Sequence, residues 1–140
     1  MVTRGQTGIA TGSGDSSADI DFSPWGGNLS FSNTASWNYS TDPPSSGQND
    51  FYSVAMHELG HLLGFGTSTV WNNQVNEAGQ FTGLTAIAAH GSTVPLNGSQ
   101  SHWASDTTST VPGTSTTQEA AMDPQITVGT RKEFTALDWA

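Results

Sequence analysis

Two histidines and a glutamate, His57, Glu58 and His61, form the pattern H-E-x-x-H within the stretch DFYSVAMHELGHLLGFG. On an α-helix, residues four positions apart lie on the same face, so both imidazoles can reach one metal ion. The glutamate beside the first histidine can then reach a water molecule on that metal. Zinc suits this arrangement because it accepts imidazole nitrogen at about 2.0–2.1 Å and keeps a position open in catalytic sites. The pattern therefore predicts a zinc-dependent hydrolase, most simply a peptidase with Glu58 as its general base.

A helix must carry these residues, and the sequence marks both of its ends. Asn49 or Asp50 can cap the first free N–H groups, and a broad apolar surface follows. Gly64 is expected to end the helix in the left-handed conformation of a C-cap. The spacing predicts a helix that begins near Asp50 and ends before Gly64.

Two histidines do not complete a zinc site, so a third ligand is required. The extended pattern H-E-x-x-H-x-x-G-x-x-H keeps its glycine at Gly64, but its third histidine position is Thr67, and a hydroxyl is a poor zinc ligand. His102 and His90 are the histidines that remain downstream. A carboxylate from a second helix, as in thermolysin-like gluzincins, would make Glu77 the ligand. The residues alone leave these three candidates open.

Three motifs in this order resemble the leishmanolysin-like branch of the metzincin zinc peptidases, and in particular its bacterial secreted relatives. HELGHLLGFG is followed, after an insertion, by SHW and then by AMDP, and GTRKEFTALDWA is also similar. The resemblance implies that His57, His61 and His102 are the zinc ligands, with Glu58 as the base. It also implies that Met122 belongs to the methionine turn beneath the metal and does not bind it.

The same resemblance, which covers approximately residues 48–140, implies an α+β fold. In that fold a small mixed sheet packs on the long active-site helix, and the C-terminal subdomain is irregular and rich in loops. We expect one zinc-peptidase catalytic domain over residues 1–140, with an upper part at about 1–66 and a lower part at about 67–140. The sequence shows neither a signal peptide nor the final helix of relatives, so we expect a piece trimmed at both ends.

Shorter elements are predicted from local pattern. Strands are expected at 18–22, 28–31 and 35–39, helical turns at 84–90, and the opening of a helix at 134–140. The strand at 28–31 is a candidate edge for pairing with an extended peptide.

Composition narrows the partners and the compartment. The chain has 140 residues and no cysteine, with 12 acidic against 3 basic residues and a formal charge of −9. This balance disfavours nucleic acid and anionic membrane surfaces, and no apolar run has the length of a membrane span. Abundant Ser, Thr and Gly, with 11% charged residues, favour a secreted or cell-surface protein that acts on a protein or peptide substrate.

Other hypotheses stand beside the endopeptidase. A catalytically silent zinc-binding surface or binding module would need no general base, so Glu58 favours the enzyme. A gluzincin-type peptidase would keep the reaction and take Glu77 as its third ligand. Asp123 could orient a histidine ring or cap the following turn. Three acidic residues could bind calcium through oxygen atoms, although their spacing matches no familiar loop: Asp15, Asp19 and Asp21.

Overall fold

The structure is a computed structural model, and it describes residues 27–140, which form three helices and three two-stranded sheets. The helices are α1 (Phe51–Leu62), α2 (Thr69–Asn73) and α3 (Leu84–His90). The parallel pair is β1 (Trp37–Asn38) with β2 (Asn49–Asp50). The antiparallel pairs are β3 (Gln80–Phe81) with β4 (Val94–Pro95), and β5 (Thr108–Thr110) with β6 (Thr117–Glu119). The predicted α+β class is confirmed, with the strands of residues 27–140 divided among three small sheets.

Helix α1 begins and ends where the sequence predicts. Asp50 is its N-cap and accepts a hydrogen bond from the Ser53 amide at 3.1 Å. At the other end, the Phe65 amide donates to the Gly60 carbonyl at 3.1 Å, as in a Schellman motif. Gly64 has a φ of 114°, which a residue without a Cβ adopts at little cost. The first cap sets where the helix begins, and the second sets the direction in which the chain leaves it.

The hydrophobic core is built mainly from residues that follow α1. Trp71 and Phe81 stack with their ring centroids 4.2 Å apart, and Trp103 lies against both rings. The buried members of this core are Trp71, Phe81, Ala86, Val94, Trp103, Ala120, Met122 and Leu137. Because Trp103 directly follows His102, the core anchors the loop that carries this histidine.

Predictions outside α1 were less accurate. Helix α3 confirms the helical turns at 84–90. Residues 28–31 form no strand, since no described segment pairs with them, and 35–39 contribute only β1. The strand predicted at 18–22 lies outside the described residues.

The prediction that a helix opens at 134–140 is wrong. Thr135 and Asp138 have the spacing of a capping box, which is typical of a helix start. Here the amide of Trp139 donates to the Thr135 carbonyl at 3.2 Å, and the chain makes only turns.

Candidate metal centre and active site

Three histidines converge on one point. His57 and His61 come from α1, and His102 comes from the loop after β4. Their Nε2 atoms are 3.1 Å (His57–His61), 2.9 Å (His61–His102) and 3.2 Å (His57–His102) apart. Nitrogen ligands of a tetrahedral zinc ion lie about 3.3 Å from one another, given bonds of about 2.0–2.1 Å. Within residues 27–140 this is the only group of three or more histidine or acidic side chains close enough to hold a metal ion.

Backbone carbonyls orient the two helix histidines. His57 Nδ1 lies 2.8 Å from the Ala121 oxygen, and His61 Nδ1 lies 2.9 Å from the Phe65 oxygen. A carbonyl oxygen can only accept, so each Nδ1 carries the hydrogen and each Nε2 presents a lone pair. Such bonds fix the ring orientation and raise the basicity of the coordinating nitrogen.

Side chains of its own loop orient His102. Its Nδ1 lies 3.0 Å from Ser101 Oγ, which lies 2.7 Å from Ser99 Oγ, and Ser99 donates to Asn97 Oδ1 at 3.1 Å. Since the Ser99 hydrogen is used on Asn97, Ser101 donates to Ser99 and accepts from His102 Nδ1–H. The side-chain Nδ2 of Asn97 lies 3.4 Å from the same ring nitrogen, which is too far for a strong competing bond. His102 therefore also presents its Nε2 lone pair.

This arrangement fits a metal ion. Three neutral imidazoles that direct lone pairs at one another have no hydrogen between them, and a cation removes this conflict. Burial lowers the pKa of His57. Burial also lowers the pKa of His102 to about 4, and the two neighbouring histidines act in the same direction. Both shifts favour the neutral imidazole, which is the form that binds metal.

Glu58 lies beside His61 on an open cleft of about 300 Å³. Residues 27–29 also line this cleft, so part of the segment predicted as an edge strand at 28–31 reaches the cleft without forming a strand. Thr67 also lines the cleft, and its hydroxyl donates to the His61 carbonyl at 2.8 Å. The cleft places a free carboxylate and a histidine within reach of one bound molecule.

Met122 packs beneath the helix. It is fully buried, and a Cβ built on Gly60 would lie 2.6 Å from its Sδ atom, so the glycine leaves room for the sulfur. The Met122 carbonyl accepts a hydrogen bond from the Trp103 amide at 3.1 Å. Met122 thus connects α1 to the residue that follows His102.

The alternative third ligands, His90 and Glu77, do not belong to the group of three histidines. His90 Nδ1 lies 3.3 Å from the Ser92 oxygen, at the end of α3. Glu77 is exposed in the turn before β3. The acidic residues considered for calcium, Asp15, Asp19 and Asp21, lie outside the described residues.

Asp123 forms no hydrogen bond with a histidine. Its Oδ1 accepts from Lys132 Nζ at 2.8 Å and from the Gln125 amide at 3.2 Å, so it closes the turn and forms an ion pair. The Ala121 carbonyl, and not the Asp123 side chain, orients His57.

Sequence reasoning expected Gly66 to end the helix together with Gly64, but it missed the close contact that Gly66 makes and the role of Asn97. Gly66 has a φ of 68°, and a Cβ built there would lie 2.1 Å from the Ser101 oxygen. Asn97 Oδ1 accepts from the amides of Ser101 and His102, at 3.2 and 3.3 Å, and so shapes the ligand loop. The signals were a second glycine after the helix and the turn-forming pair Asn97-Gly98.

Residues 11–74 match the family model described as matrixin, a peptidase family. The matched segment contains His57, Glu58 and His61, and it ends before His102 and Met122. No curated protein and no solved structure matches the chain. The match supports a metzincin-type family and a zinc metallopeptidase, and it does not single out the leishmanolysin-like branch. Among residues 27–140, no helix has the length and apolar character needed to cross a membrane.

Proposed function

We propose that the protein is a zinc-dependent endopeptidase in which Glu58 is the general base. The observation that carries this proposal is the convergence of three Nε2 lone pairs, from His57, His61 and His102, beside a carboxylate on an open cleft. The matrixin match supports the same chemistry from the sequence of residues 11–74.

His57, His61 and His102 would hold the ion through their Nε2 atoms. A zinc ion held by these three ligands would lower the pKa of a bound water molecule to about 7 and would polarise a carbonyl group. Glu58, the neighbour of His57 on α1, takes the proton from the attacking water and returns it to the departing amine. A positioned base of this kind contributes on the order of 10²–10⁴-fold to the rate.

The remaining assignments follow from the same site. The open cleft that Glu58 and residues 27–29 line supports a protein or peptide as substrate. The 41 residues that separate His61 from His102 support the leishmanolysin-like branch. In the shorter metzincin pattern, the third ligand would stand at the position of Thr67. The matrixin likeness and the polar, uncharged composition support a secreted or cell-surface protein.

Metal analysis together with a peptidase assay on an unfolded protein tests this function. Wild type should bind zinc and cleave. Glu58→Ala should keep its zinc and lose turnover by about 10²–10⁴-fold. His102→Ala should lose zinc, whereas His90→Ala, the matched control, should keep both zinc and activity.

Two results would contradict the proposal in different ways. Full zinc occupancy in His102→Ala would exclude this residue as the third ligand. A wild type that binds zinc but cleaves no unfolded protein would make the site a catalytically silent binding module.

A further inference from the structure

The carboxylate of Asp138 receives five hydrogen bonds from three segments of the chain. Asp138 Oδ1 accepts from Trp103 Nε1 and from the Met122 amide, both at 3.1 Å. Its Oδ2 accepts from the Ala121 amide at 2.9 Å, and from the Thr135 amide and hydroxyl at 2.7 and 2.8 Å. All five donors are neutral, and no lysine or arginine of residues 27–140 forms an ion pair with this carboxylate.

The peptide group that joins Ala121 to Met122 connects this carboxylate to His57. Its N–H donates to Asp138 Oδ1, and its carbonyl oxygen accepts from His57 Nδ1 at 2.8 Å. A negative acceptor on the N–H side polarises the peptide and strengthens the bond that its carbonyl accepts. The charge of Asp138 therefore polarises the carbonyl that binds His57 through one peptide unit.

A capping role alone does not account for these contacts. The spacing of Thr135 and Asp138 explains the two bonds within their own turn. The other three bonds come from outside that turn, from Ala121, Met122 and Trp103. These three donor residues lie next to His57 or His102.

We propose that Asp138 is a positioning residue of the metal centre. It increases the basicity of His57 through the 121–122 peptide and fixes Trp103, which directly follows His102. The inference rests on the proposed role of His57 as a metal ligand. His61 provides an internal comparison, since its Nδ1 bonds to the Phe65 carbonyl, and no carboxylate of residues 27–140 accepts from that peptide.

The first experiment measures zinc affinity by competition with a chelator. Asp138→Asn keeps the shape of the side chain, removes its charge and replaces one acceptor oxygen with an NH2 donor, so zinc should bind about 10–100-fold more weakly. The matched control is Thr135→Val, which removes a hydroxyl bond to the same carboxylate and leaves the bond to Met122 intact. It should lower the unfolding temperature and leave zinc affinity close to that of wild type. Wild-type zinc affinity in a folded Asp138→Asn variant, or an equal loss in Thr135→Val, would overturn the proposal.

A second measurement on wild type covers the case in which Asp138→Asn fails to fold. Nuclear magnetic resonance compares the Nδ1 protons of His57 and His61, whose bonds to carbonyls have similar lengths, 2.8 and 2.9 Å. The His57 proton should resonate further downfield because its acceptor is polarised by Asp138. A His57 proton at or upfield of the His61 proton would contradict the relay. The comparison uses metal-free protein, so a failure to bind zinc would overturn the proposed function and leave this comparison intact.

Discussion

Gly66 and Ser101 meet backbone to backbone, so closely that a Cβ built on Gly66 would lie 2.1 Å from the Ser101 oxygen. Gly66 lies in the turn that leaves α1, and Ser101 immediately precedes His102. The departing and returning segments of the chain thus pack together at a position without a side chain. This contact sets the approach of the third histidine to the other two.

Gly66→Ala should weaken zinc binding. Gly91→Ala is the matched control, because Gly91 also has a positive φ, 90°, but no atom within 4 Å of a built Cβ. Both variants should lose about 1 kcal/mol of stability from the left-handed backbone. Only Gly66→Ala should also displace the loop of His102. Chelator competition and urea unfolding measure the two effects, and equal zinc affinity in both variants would contradict this role.

Gly60→Ala should destabilise the protein, although alanine is normally favoured over glycine inside a helix by about 1 kcal/mol. The added methyl group would lie 2.6 Å from Met122 Sδ, so overpacking should cost about 1–3 kcal/mol. In a Met122→Ala background the same substitution should become neutral or stabilising. A double-mutant cycle by chemical denaturation measures this coupling. Equal effects of Gly60→Ala in both backgrounds would show that Met122 is not the obstacle.

Asp50 should stabilise the protein above about pH 4 and lose this effect towards pH 2. Burial by itself would raise its pKa, but hydrogen bonds from Arg131 and Ser53 outweigh burial and bring the pKa to about 2. A carboxyl group with a lowered folded-state pKa contributes stability above its unfolded value, here about 2 kcal/mol, and loses it as the pH falls.

Asp50→Asn tests this directly, because asparagine caps a helix as well as aspartate does. Urea unfolding of Asp50→Asn should show a smaller loss of stability between pH 5 and pH 2 than wild type shows. Asp42→Asn, at an exposed position, is the control for the loss of one negative charge. A parallel loss in wild type and Asp50→Asn would refute the assignment.

Asp123→Asn should stabilise the protein at pH 8. Burial raises the pKa of Asp123 to about 6, and the Glu119 carboxyl acts in the same direction. Its Oδ2 is buried without a hydrogen-bond partner. A raised folded-state pKa means that the folded protein holds more protons between pH 4 and pH 6, so stability falls as the pH rises through this range. The amide removes this dependence and can donate to Glu119, which should add about 1–3 kcal/mol.

Urea unfolding at pH 3 and pH 8 provides the measurement. The gain should be present at pH 8 and absent at pH 3, where Asp123 is protonated in both states. Asp106→Asn, at an exposed position, controls for the loss of one negative charge from an acidic chain. A gain of the same size at both pH values would contradict the assignment.

The sequence predicted the part of the site that depends on local spacing. His57, Glu58 and His61 lie on one helix, and residues three and four apart lie close together wherever a helix forms. Residue chemistry left three candidates and favoured His102 among them, and the family resemblance supported the same choice. Its placement depends on contacts between segments more than 30 residues apart, such as Gly66 with Ser101, which periodicity does not report.

Non-local features account for most of what was missed. The hairpin of β5 and β6 is built from Thr108–Thr110 and Thr117–Glu119, polar segments that lack the apolar alternation of a half-buried strand. Asp138 lies in the segment 134–140, where a helix opening was predicted, and its spacing with Thr135 is indeed that of a capping box. Its bonds to Met122 and Trp103 cross 16 and 35 residues, a range at which sequence pattern carries no signal.

The separation of His61 from His102 also has a consequence for folding. The chain has no cysteine and therefore no disulfide. A metal ion bound by both histidines would close a loop of 41 residues and restrict the unfolded chain as a covalent cross-link does. The chain-entropy relation for a loop of this length gives about 4 kcal/mol. The same ion would thereby hold the loop of His102 in place and stabilise the core to which Trp103 belongs.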